Sequence, residues 1–364
     1  ITSYSPYRPF TSIQESGLYI KELENSELTY EKKHELNIGA DMGFLNNRIN
    51  LAVDWYKRNN YDLIGIVNTQ GAGGQILKYA NIASMKSHGI EFTLSTKNIK
   101  TKDFNWNTDF IFSNAKNEVT DLKQNANVME LISGNGFAKQ GYPVRGLFSI
   151  PFVGLDKDGI PVIINEKGEA TSTDINFQER QNTGFLKYEG PTDPTITGSL
   201  GNMFSYKGFR LNLFITYSFG NVIRLNPVFK AYYSDLTAMT REFKNRWTLP
   251  GDEAKTNVPA ILSKRMYDSN EDLKYAYNAY NYSTERIAKG DFIRLKEISL
   301  AYDFPKAWIN PLKLTDLSLK VQATNLFLIY ADDKLNGQDP EFFNAGGVAS
   351  PVPRQFTITL RLGL

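Results

Sequence analysis

Cysteine is absent from all 364 residues, and histidine occurs only at His34 and His88. No disulfide framework, thiolate zinc site or Cys nucleophile can be built from such a chain, and two isolated histidines make a histidine-rich metal site a poor expectation. Neither sign of charge is in excess: 41 basic and 39 acidic residues leave a net charge of +2. A polyanion-binding footprint is therefore missing, which argues against nucleic acid as a partner. Long hydrophobic runs are missing too. Mean hydropathy is −0.37, and no stretch reaches the roughly 18 apolar residues of a transmembrane helix. There is no signal-peptide pattern and residue 1 is Ile, so the chain is expected to be a mature product or a fragment.

What is abundant is aromatic: 23 Phe, 20 Tyr and 4 Trp. With ordinary hydropathy, such a content suits a β-rich soluble protein or an outer-membrane barrel, in which aromatic girdles mark both lipid–water interfaces.

Period-two alternation, the mark of a strand with one apolar and one polar face, recurs along the chain. Residues 34–44 set Leu36, Ile38, Ala40, Met42 and Phe44 on one side. Residues 48–58, 89–97, 104–115, 195–206, 209–222, 315–329 and 354–364 repeat the pattern. In 291–304 the parity changes between Leu295 and Ile298, which predicts a bulge near Lys296–Glu297. These nine segments are each close to the roughly 9–11 residues that carry a tilted strand across a bilayer. Short connections (44–48, 98–103, 206–209, 305–314) alternate with long ones near 59–87, 116–194, 223–290 and 331–353. Short turns at one end and long loops at the other is the outer-membrane layout. Within the second long loop, 147–170 reads as an extra hairpin turning at Asp158-Gly159 and Lys167-Gly168, too short in its second arm to cross.

The expected fold is thus all-β, a transmembrane antiparallel β-barrel. Charge placement sets its orientation, because a midplane Lys or Arg facing lipid costs roughly 2–4 kcal/mol. Lys320, Gln322, Arg361, Thr357, Asn50 and Asp54 should face a watery lumen, and Leu317, Val321, Ile358 and Leu360 the lipid. Bacterial barrels use even strand numbers. Nine is odd, so residues 1–364 are expected to be the C-terminal portion of a larger barrel whose first strands lie elsewhere.

Several phrases resemble the SusC/RagA-type TonB-linked outer-membrane transporters: "ELTYEKKHELNIGADMGFLNNRINLAVDWYKRNNYDLI" (27–64), "NIASMKSHGIEFTL" (81–94), "PTITGSLGNMFSYKGFRLNLFITYSFGNVI" (194–223), "GDFIRLKEISLAYDFP" (290–305), "ATNLFLIY" (323–330) and "GQDPEFF" (337–343). Ala83 and Ser87 depart from the family's usual Gly and Asn, and Leu364 from its usual terminal Phe. The resemblance implies a 22-stranded barrel with a plug domain upstream of residue 1, a TonB contact there, a SusD-like surface lipoprotein as lid, and residence in the outer membrane of a Gram-negative, Bacteroidota-like cell. It implies import of a large nutrient, an oligosaccharide or a peptide. The competing reading is a β-rich surface protein that binds carbohydrate or serves structure without transport; a surface glycoside hydrolase is a third.

No residue stands out for bond chemistry, and no cofactor or metal is expected. "GAGG" (71–74) lacks the Gly-Lys-Ser/Thr of a phosphate cradle. "DKDGIP" (156–161) lacks the full acidic loop of an EF-hand and reads as a turn. Asp332, Asp333, Asp339 and Glu341 crowd the last long loop without the known separation that a glycosidase pair requires. The richest stretch is "MYDSNEDLKYAYNAYNYSTER" (266–286). Tyr267, Tyr275, Tyr277, Tyr280 and Tyr282 could stack on sugar faces or anchor a partner, or simply pack against neighbouring loops.

Overall fold

The computed structural model describes residues 3–7 and 17–22 by backbone, and residues 24–71, 76–229, 239–343 and 351–364. Nine strands join in one antiparallel sheet: β1 (Lys32–Phe44), β2 (Ile49–Asn68), β3 (Leu77–Lys100), β4 (Phe104–Leu122), β5 (Ile196–Tyr206), β6 (Phe209–Phe219), β7 (Phe292–Asp303), β8 (Asp316–Ala331) and β9 (Gln355–Gly363). Each pairs with its neighbour in sequence, so the sheet is a plain meander from β1 to β9. All nine alternating segments lie in it. The Lys296 bulge is present as well: Phe214 pairs with Glu297 and Ile215 with Leu295, leaving Lys296 without an opposite residue.

Register turns the single-strand pattern into a two-sided wall. Met42, Leu51, Leu94, Phe110, Leu200 and Ile215 are successive cross-strand partners from β1 to β6. Leu211, Leu300, Val321 and Ile358 continue that face through β9. On the other face Asp54, Glu91, Ser113, Thr197 and Ser218 run side by side. A one-residue slip in any strand would carry its apolar set to the polar side, so each pairing supports the next. Among the described residues nothing covers the apolar face: Val321 is 47% exposed and Leu360 59%, while Leu213 is half-buried.

Tight turns close one end of the meander. Leu45, Asn46 and Asn47 all have positive φ between β1 and β2, and Lys207-Gly208 (φ 45° and 90°) form the mirror-image turn that suits right-twisted strands. At the opposite end the chain departs from expectation. Residues 59–87, read as a loop, are mostly strand: β2 runs on to Asn68 and β3 begins at Leu77. A bulge at Asp62 (φ 56°) breaks the parity there, and beyond a bilayer both faces are wet, so nothing enforces alternation. Residues 72–75, within the Gly-rich "GAGG", lie outside the described residues.

The fully buried apolar side chains are concentrated outside the sheet, in the two longest loops. Val128, Leu131, Ile132, Phe148, Ile150, Ile163, Leu186 and Ala279 form one cluster. The expected hairpin is there, as strands 152–155, 161–164 and 170–171 in a separate three-stranded sheet that does not join the nine. Its turns use Asp156 and Asn165, whose side-chain oxygens accept main-chain N–H groups at 2.9–3.0 Å. The carboxylate of "DKDGIP" is thereby committed to its own backbone.

Candidate functional site

Two features could handle a solute: the polar face of the sheet and the loop unit above its open end. The polar face carries Lys320, Gln322, Thr357, Arg361, Asn50 and Asp54 on one side of the register. Some of its charges are paired, with Glu35 accepting from Arg58 at 2.8 Å and Asp303 from Arg210 at 2.9 Å. Glu297 accepts from Asn212 at 3.4 Å and lies 3.9 Å from Lys320. The result is a hydrated, hydrogen-bonding wall.

The loop unit is a folded body. Helix α1 (Val128–Ile132) is started by a reciprocal cap between Asn127 and Glu130, and buries Val128, Leu131 and Ile132. Ile150 makes a parallel bridge to Ser283, which ties the 116–194 connection to the 223–290 connection. Arg224 sits at the centre, 7% exposed. Its guanidinium donates to the carbonyls of Phe148 (2.6 Å), Ser283 (2.8 Å) and Ile132 (3.3 Å), joining three segments at one planar fork. Burial lowers its pKa to about 9 against the opposing pull of Glu189, and it stays protonated at neutral pH.

The tyrosines divide by helical phase. Helices α2 (Lys264–Ser269) and α3 (Leu273–Asn281) span most of their stretch. On α3, Leu273, Ala276, Tyr277 and Tyr280 share the inward face, with Tyr277 and Tyr280 each 1% exposed. Tyr280 packs edge-on to Phe152, and Tyr277 lies 5.1 Å from the Phe229 ring. Burial raises the Tyr280 phenol pKa. Tyr282 rests half-buried against the same core. Tyr275 points outward, 40% exposed, and the half-buried Tyr267 is near it through Lys274, whose ammonium lies 5.3 and 5.9 Å from their rings.

Other charges lock loops to strands. Arg294, buried on β7, donates to both oxygens of Asp339 (2.5 and 2.7 Å) and lies 3.2 Å from Glu341. Asp332 accepts from the N–H of Lys289 at 2.8 Å. Three of the four carboxylates crowded in the last loop are thus engaged in holding it down. Arg286 binds Glu242 and the Asn226 carbonyl, and Glu242 also accepts from Asn336 at 2.9 Å. A cavity of about 270 Å³ opens beside this pair, lined by Leu225, Thr240, Glu242, Arg286, Leu335 and Phe343. Arg224 and Arg294 escaped the sequence reading, although both occur in the same Ile-Arg-Leu context, a lone cation between two large apolar residues. Arg210 and Arg361 also stand between two large apolar residues yet keep exposed side chains, so that context does not by itself mark a buried arginine.

Trp247 covers Gly159, whose positive φ (75°) and lack of a Cβ let the indole lie 2.6 Å from where one would stand. The indole N–H donates to Glu253 at 2.9 Å. That bond foremost, with the Gly251 N–H, holds the Glu253 pKa below its ordinary value; N–H groups of Leu249 and Thr248 do the same for Asp252. Depressed carboxylate pKa values contribute stability above the ordinary range that is lost as pH falls through the folded values. Acidifying below about pH 4 should therefore release Trp247 from the hairpin. The part of the tryptophan emission change that is missing in Glu253→Gln/Asp252→Asn reports it; an identical titration in that variant would refute the link.

No family model matches the chain. Relatives do. A TonB-dependent receptor, P3, of Formosa agariphila is 25% identical over 368 residues, covering 94% of this chain and 34% of the relative. The TonB-dependent receptor SusC of Bacteroides thetaiotaomicron is 26% identical over 364 residues, covering 93% and 32%. This chain is a homologue of TonB-dependent receptors, SusC among them. It spans about a third of the length of these curated relatives.

Solved structures of the RagAB peptide transporter overlay the whole chain at TM-scores of 0.73 and, in the open-open state, 0.75, at 23% identity and 38% of the other chain. The fold is accordingly that of an outer-membrane transporter barrel. Among the described residues no helix is long and apolar enough to cross a membrane; this homologue crosses with strands. Its apolar face is exposed and its other face is charged and hydrogen-bonded.

Proposed function

We propose that this chain supplies the C-terminal wall and part of the outer mouth of a 22-stranded, TonB-dependent importer that carries a large nutrient, an oligosaccharide or a peptide, past a plug and beneath a SusD-like lipoprotein lid. The observation that carries the reading is the continuous nine-strand meander β1–β9, whose pairing keeps an apolar belt on one face and a charged, hydrogen-bonding wall on the other. The folded loop unit adds a rigid rim at the end opposite the tight turns. Enzyme chemistry has no part in this role; the relatives bear receptor names. Deleting the gene of the full-length parent should abolish protonophore-sensitive growth on the nutrient as sole source. Retained growth, or a parent that stays soluble without detergent, would favour a surface protein without transport.

Solute or lid contact falls to the outward rings, Tyr275 above all, with Tyr267 beside it. Tyr275→Ala should weaken uptake or lid retention several-fold and leave loop protease resistance unchanged. Tyr280→Ala should instead cost about 3–5 kcal/mol, as emptying a large buried aromatic site does, and open the loops to protease. Unchanged uptake and lid retention in Tyr275→Ala would remove that residue from the contact surface.

A further inference from the structure

On the lipid-facing side of the sheet, just where the apolar belt ends toward the long loops, three basic residues stand in one cross-strand row. Lys57 of β2 pairs with His88 of β3, and His88 pairs with Lys116 of β4. The row nearer the tight turns is Trp55, Ile90 and Asn114, and the one further out is Asn59, Lys86 and Glu118. All three basic side chains are exposed. Among the described residues none of the three side chains forms a hydrogen bond or ion pair, and Glu118, the carboxylate in the outer row, is held by Lys86 at 3.0 Å. On the fourth strand, β1, the partner of Lys57 is Leu36.

Directly opposed residues lie about 4.5–5.5 Å apart, so the row sets two ammonium groups on either side of an imidazole, close enough for one anionic group to lie across all three. Its depth selects the anion. Apolar side chains below would meet acyl chains, while the row itself sits at headgroup level, where a basic patch attracts anionic lipid. We infer that Lys57, His88 and Lys116 form a binding row for the phosphorylated headgroup of a lipid in the outer leaflet, which fixes this sector of the barrel against its annular lipid. The inference rests on the outer-membrane reading and adds a specific lipid contact to it.

The test uses the full-length receptor extracted from outer membranes in mild detergent, with native mass spectrometry in the presence of monophosphoryl lipid A or the same glycolipid without phosphate. Lys57→Gln/His88→Gln/Lys116→Gln should retain at least fivefold less of the phosphorylated lipid and the same amount of the phosphate-free one. If the triple variant loses heat-modifiable gel migration, Lys57→Gln/Lys116→Gln supplies the same comparison. Equal retention of the phosphorylated lipid, or an equal fall for both lipids, overturns the inference. A parent found in the soluble fraction would instead overturn the membrane reading, so the two failures are distinguishable.

Discussion

Replacing Arg224 by methionine is expected to collapse the loop unit while sparing the strands beneath it. Methionine roughly fills the volume but donates nothing, so the carbonyls of Ile132, Phe148 and Ser283 lose a donor and Glu189 keeps only Lys187 as a counter-charge. A buried polar group left without a partner costs about 1–3 kcal/mol. The total is therefore about 3 kcal/mol or more, even after crediting the charge that no longer has to be desolvated. Arg224→Lys should fall between, because one ammonium cannot reproduce a planar fork aimed at three acceptors. Trypsin should then cut within 116–194 and 223–290 in the variant parent, with heat-modifiable migration unchanged. Wild-type resistance in Arg224→Met would show that the apolar cluster alone holds the loops.

Val321→Arg is the second large effect, and it bears on the barrel itself. Val321 lies midway along β8 between Leu300 and Ile358 on the outward face, and an arginine there should cost about 2–4 kcal/mol of assembly. The adjacent Gln322→Arg faces the lumen between Ser299 and Thr357 and should assemble normally. Folded yield by gel shift separates the two. Equal yields would mean that the apolar side of β8 does not touch hydrocarbon.

The sequence is most readable where a bilayer constrains it. Alternation is required only while one face meets hydrocarbon, and all nine strands of the sheet show it; even the odd residue at Lys296 shows as a change of parity. Where β2 and β3 leave the membrane the same backbone continues, yet residues such as Asn59, Asn60 and Asp62 no longer have to alternate, and the strand looks like a loop. The loop unit was illegible for a different reason. Val128, Phe148 and Ile163 meet from distant positions, on strands of four residues and a five-residue helix that carry no measurable period. Tyr277 and Tyr280 could have been separated from Tyr275 by helical spacing, since Leu273, Ala276, Tyr277 and Tyr280 recur at i, i+3, i+4 and i+7.

Strands of 20 and 24 residues at β2 and β3 are far longer than a crossing needs. At about 3.3 Å per residue, and with some ten residues consumed by the hydrocarbon, roughly half of each ribbon stands clear of the membrane as a hydrogen-bonded parapet. One flank of the entrance is consequently stiff and tall, whereas the other is a docked assembly of loops fastened by a few arginines.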